Sequence, residues 1–78
     1  MIRSVKAMEQ ELVKKVMEKD LNVRFLEYRE YKAGSMYFLG IDKEEGIETV
    51  IRLDTFNFNL YQKWVNNKEL EFHIGSLS

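Results

Sequence analysis

Cysteine and proline are absent from this chain, histidine occurs once, and there are four glycines among 78 residues. Each scarcity excludes something. Without thiols there is no disulfide and no thiolate zinc centre, and His73 is the only imidazole available to any metal. The same histidine would have to serve every Ser–His scheme of nucleophilic catalysis, and no serine stands at a telling spacing from it. The glycines at 34, 40, 46 and 75 form neither a G-x-x-x-x-G-K nor a G-x-G-x-x-G phosphate cradle. The longest apolar run, Met36–Leu39, is far short of the ~20 residues a spanning helix needs. Charges are scattered through residues 1–17, unlike a secretory signal, so a cytoplasmic, non-membrane protein is expected.

Charge of one sign is also lacking. The net charge is −1, with eight Lys/Arg against six Asp/Glu in residues 1–32 and four against seven in 33–78. This gives no basic footprint of the kind nucleic-acid binding normally shows. The acids Asp42, Glu44 and Glu45 lack the alternating twelve-residue pattern of a calcium loop and read as a polar hairpin tip. Glu69, Glu71 and His73 share one face of a strand and read as its solvated side. The expectation is a protein without metal, cofactor or catalytic residues, and not an enzyme.

Aromatic residues, by contrast, are plentiful. All ten (Phe25, Tyr28, Tyr31, Tyr37, Phe38, Phe56, Phe58, Tyr61, Trp64 and Phe72) follow the first helical segment. A chain this short buries only about 60% of its unfolded surface. Lacking staples, it is expected to rely on a dense aromatic core, on self-association as a homodimer, or on both. The five phenylalanines are assigned to that core.

Hydrophobic periodicity divides the chain as one domain, 1–78. Residues 4–20 predict an amphipathic helix: Val5, Met8, Leu12 and Val16 form a stripe widened by Val13 and Met17. Ser4 is its N-cap, Glu11 and Lys15 are spaced as an ion pair, and Asn22 is a left-handed terminator. Glu9 falls within the apolar arc, where it would sit beyond the edge of the core or meet Arg24. Strands are predicted over 23–32, 35–42 and 47–53. In the first, Val23 and Phe25 point one way and Leu26 and Tyr28 the other, so either both faces are covered or a bulge re-aims the chain. The second is apolar on both faces apart from Gly40, as a strand buried on two sides would be. Gly46 is free to take positive φ before the third, in which Ile47, Thr49, Ile51 and Leu53 face one side and Glu48, Val50 and Arg52 the other. Residues 56–66 predict a second helix from the stripe Leu60, Tyr61, Trp64 and Val65, and 69–74 a half-exposed edge strand. The fold class is α+β: helix, three-stranded antiparallel meander, helix, edge strand. The alternation of Phe56, Phe58 and Leu60 supports the alternative, a helix plus a five-stranded meander.

The order helix, three strands, helix resembles double-stranded-RNA-binding domains in topology only. The segment TFNFNLYQK has one lysine where that family has a Lys-rich helix start, and KAGS lacks its Pro-His element. No family is assigned.

Tyrosine and tryptophan have polar tips that want water or a partner. Tyr28, Tyr31 and Tyr37 flank the first turn among Arg24 and Arg29, and Trp64 lies in the predicted second helix. Tyr, Trp and Arg are the residue types of protein hot spots, and Glu27 and Glu30 beside them would repel phosphate. Arg24, Tyr28, Arg29, Tyr31, Tyr37 and Trp64 are therefore the candidate partner-binding residues. The reading is a small non-enzymatic protein-binding module of adaptor or inhibitor type, of which a phage or mobile-element regulator acting on a host macromolecule is one form. The alternative is an oligomer with nucleotide or small-molecule pockets at its subunit boundaries, and the third reading a weak single-stranded nucleic-acid binder.

Overall fold

Among the described residues, a computed structural model gives one helix, α1 (Ile2–Asp20), and five strands: β1 (Val23–Lys32), β2 (Ser35–Asp42), β3 (Glu48–Asp54), β4 (Asn59–Trp64) and β5 (Phe72–Ser76). The structure describes residues 2–67 and 70–77, with side chains from residue 11 onward. The strands form one antiparallel meander in the order β1-β2-β3-β4-β5. No described helix is long and apolar enough to cross a membrane.

Turn chemistry sets this order. Ala33 and Gly34, at φ 51° and 79°, join β1 to β2 by a two-residue loop closed by the pair Lys32–Ser35. Positive φ at both positions matches the right-handed twist of the flanking strands. The next two loops share one plan. The Gly46 N–H donates to the Asp42 carbonyl (2.8 Å), and the Phe58 N–H to the Asp54 carbonyl (2.7 Å). In both loops the aspartate carboxylate caps the turn, Asp42 accepting from Glu44 and Glu45 N–H and Asp54 from Phe56 N–H. The closing residue is left-handed in each: Gly46 at φ 69°, Phe58 at φ 61°.

That second loop and β4 replace the helix expected over 56–66, and the five-stranded alternative is the observed topology. The stripe was misleading because Gln62 is buried. Its amide donates to Thr49 Oγ1 (3.0 Å), which donates to the Lys63 carbonyl (3.1 Å), so a polar side chain is satisfied inside the sheet–helix layer. Leu60 and Gln62 thus face α1 while Tyr61 and Lys63 face away, at the two-residue period of a strand. The last strand begins at Phe72, three residues later than expected. Lys68 and Glu69 lie outside the described residues.

The core is Met17, Val23, Leu26, Phe38, Ile51, Leu53 and Leu60, packed between α1 and one face of the sheet. Burying each side chain contributes about 1.5–3 kcal/mol. Only one of the five phenylalanines belongs to it. Phe38 is fully buried, whereas Phe25, Phe56, Phe58 and Phe72 are 44–82% exposed, three of them in or beside left-handed turns and bulges that turn the ring outward. On the helix, Val13 and Met17 form the inward stripe, continued by Leu21 just past its end, and Leu12 and Val16 are exposed, narrower than the predicted arc.

The phase slip in β1 is a bulge. Phe25 takes φ 58°, and the register shifts between Arg24 and Glu27, bringing Leu26 to the α1 side above Gly40. The Leu26 N–H there donates to Glu18 Oε2 of α1 (2.8 Å), tying helix to strand. A second shift, between Tyr28 and Glu30, makes Arg29 the extra residue. Details of the helix differ from expectation. It starts at Ile2, so Ser4 lies inside it. Glu11 pairs with Lys14 (3.1 Å) rather than Lys15. Asn22 is not left-handed; its carbonyl instead accepts Lys43 N–H. The Glu9 side chain lies outside the described part.

Candidate functional site

The two sides of the sheet differ. On the face turned away from α1, strand register lines side chains into four rungs. They read Lys32–Ser35–Asp54, Glu30–Tyr37–Arg52–Tyr61–His73, Glu27–Leu39–Val50–Lys63, and Arg24–Ile41–Glu48. Tyr37, Leu39, Ile41, Val50, Arg52 and Tyr61 are half-buried, as expected of a sheet face without a second layer above it. This corrects the expectation that β2 is covered on both sides.

Arg52 organises the longest rung. Its Nε and one terminal nitrogen donate to the two oxygens of Glu71 (3.1 and 3.0 Å), and its other terminal nitrogen to Ser35 Oγ (3.0 Å). Donating hydrogen bonds to the Glu71 carboxylate holds the guanidinium pKa above its ordinary value. The guanidinium also lies 4.1 Å from the Tyr61 ring centroid, and Tyr61 meets His73 at 5.3 Å. A flat cation locked by a fork and flanked by rings is pre-organised for contact, because little rotamer freedom remains to be lost on binding. Beside it an open groove of about 660 Å³ is lined by Arg29, Tyr37, Leu39, Arg52 and Lys63. Among the described residues no group of three His, Asp or Glu is placed to hold a metal ion.

The six residues singled out from the sequence fall on different surfaces. Arg24 and Tyr37 stand on this face, and Arg29 lines its groove from the bulge while pairing with Glu27 (2.7 Å). Tyr28 faces α1, half-buried edge-on against Phe38 (5.6 Å). Tyr31 is on the same side, its hydroxyl 3.3 Å from Thr55 Oγ1. The Trp64 indole N–H donates to Asp42 Oδ2 (2.8 Å), and its ring meets Phe72. The sequence reading missed Arg52, Tyr61, Leu39, Val50 and Lys63 as a group. The alternation of β3 already put Val50 and Arg52 outward, but reading β4 as a helix hid Tyr61 and Lys63.

No protein-family model, curated protein sequence or solved structure matches the chain.

Proposed function

We propose that this protein is a non-enzymatic protein-binding module of adaptor or inhibitor type, and that its contact surface is the sheet face turned away from α1. The carrying observation is the Arg52 rung, a guanidinium fixed by Glu71 and Ser35 between Tyr37 and Tyr61, beside half-buried Leu39 and Val50. Arginine and tyrosine set in an apolar surround are what hot spots are made of. Acids interleaved on the same face, at Glu27, Glu30, Glu48 and Asp54, disfavour a polyphosphate backbone and support a protein partner over a nucleic acid.

Site-specific photo-cross-linking in living cells tests this reading. A benzophenone amino acid at Val50 should yield a discrete cross-linked protein species, and the same group at the exposed helix position Leu12 should not. Equal products from both positions, or none from Val50, would refute the assignment of the face.

A further inference from the structure

We propose that a second copy of this chain closes the same face, the two sheets stacked about a two-fold axis running along β2. The proposal rests on the face being a protein contact and is carried by the placement of its charges. On this face β2 offers only the uncharged Ser35, Tyr37, Leu39 and Ile41. On one side, from the Ala33–Gly34 turn downward, β1 presents Lys32, Glu30, Glu27 and Arg24, in signs plus, minus, minus, plus. On the other side β3 presents Asp54, Arg52, Val50 and Glu48 on the same rungs, and Lys63 stands next to Val50. Along β3 itself the signs are minus, plus, none, minus, so three of the four rungs invert the β1 series, and on the third the plus charge is Lys63, one strand further out on β4.

A half-turn about β2 lays β1 of one copy over β3 of the other and β2 over itself. Lys32 then faces Asp54 of the second copy, Arg24 faces Glu48, Glu30 faces the Arg52–Glu71 pair, and Glu27, bonded to Arg29, reaches toward Lys63. Each contact occurs twice, because a two-fold interface is isologous. Tyr37, Leu39 and Ile41 meet their own counterparts at the centre, which gives an apolar middle inside a charged rim. Sheets packed face to face lie about 10 Å apart with strand directions within about 30° of each other, and an axis along β2 keeps the two copies of that strand aligned.

Two other two-fold axes oppose like charges. An axis along β3 would oppose Arg52 to Arg52, Glu48 to Glu48 and Asp54 to Asp54. An axis across the strands would oppose Lys32 to Arg24, Glu30 to Glu27 and Asp54 to Glu48. Like charges placed opposite one another suppress an association. Of these three axes only the one along β2 opposes unlike charges, and with four of each sign the eight rung charges favour neither a uniformly acidic nor a uniformly basic partner.

Sedimentation velocity on the full chain tests the proposal with wild type, Arg24→Glu, Glu48→Arg and an equimolar mixture of the two variants. Both side chains are exposed and neither forms an ion pair among the described residues. Wild type should dimerise as concentration rises. Each variant alone should raise the dimer Kd at least tenfold, since both symmetry-related contacts become repulsive. The mixture should recover wild-type dimerisation, because every such contact again joins a carboxylate to a guanidinium. Wild type remaining monomeric up to about 1 mM, or a dimer indifferent to both single reversals, would overturn the proposal. A monomer that still cross-links to a different protein from Val50 would sink the dimer alone and leave the binding face standing. A Val50 probe that captures nothing would remove both.

Discussion

Replacing Ala33 by asparagine should stabilise this protein, and the size of the gain follows from the backbone. Ala33 sits at φ 51° as the first residue of the two-residue loop between β1 and β2, and its side chain is exposed. A residue with a Cβ held in the left-handed region costs about 1–2 kcal/mol, because Cβ crowds the following carbonyl. Asparagine relieves much of that, since its short amide hydrogen-bonds locally and Asn-Gly is the favoured pair for such a loop. No packing is lost at an exposed position. The expected gain is about 1 kcal/mol, which for a domain of this size raises Tm by roughly 4–8 °C. Ala33→Gly removes the same strain but frees the unfolded chain, giving back about 0.4–1 kcal/mol, so it should gain less. Urea and thermal unfolding followed by circular dichroism, with the m-value unchanged, would check the order asparagine above glycine above alanine. A neutral or destabilising Ala33→Asn, or a glycine variant more stable than the asparagine one, would refute the reasoning.

Gly40 should resist substitution for a different reason. A Cβ there would stand 2.7 Å from Leu26 Cδ2 and 3.0 Å from the Arg24 carbonyl, so Gly40→Ala should cost about 1–3 kcal/mol in denaturant melts, where a loss below the error would argue against the bulge contact. Asp42 links stability to pH. The Trp64 indole N–H first, and then the N–H groups of Glu45 and Glu44 against the opposing effect of burial, hold its carboxyl below the ordinary aspartate value. A depressed folded pKa gives stability that is complete above the unfolded value near pH 4 and is lost as pH falls through the lower folded value. Asp42→Asn should therefore cost about 1–2 kcal/mol at neutral pH and flatten the acid limb of a Trp64-monitored stability profile, and an unchanged limb would place the acid sensitivity elsewhere.

The elements legible in the sequence were those whose side chains obey one period and whose turns carry glycine. The β2–β3 hairpin was readable from Gly46 and the alternation of Thr49, Ile51 and Leu53, and the bulge in β1 from the opposed directions of Phe25 and Leu26. The loop between β3 and β4 was not, because Phe58 occupies the left-handed position that Gly46 takes in the preceding loop, and phenylalanine carries no turn signal. Gln62 compounded the error by being polar and buried. The candidate face was half legible for the same reason. Its β1 and β2 residues were placed within the right hairpin, but which tyrosines share a side depends on the two bulges, and a register slip of one residue exchanges the faces of a strand. The four exposed phenylalanines show that ring size alone does not assign a residue to a core.

Because every strand of the meander pairs only with its neighbours in sequence, the sheet can be assembled as a series of adjacent hairpins, each closing a short loop onto one already present. Such low contact order favours rapid folding. Assembly can follow the direction of synthesis, with α1 and β1 emerging first and waiting for no distant segment except β2. The last strand, β5, bonds only to β4, so its departure exposes a new edge without unthreading anything. Partial unfolding of this chain should therefore proceed as a peeling from the C-terminal edge, with amide exchange fastest in β5 and slowest in β2 and β3.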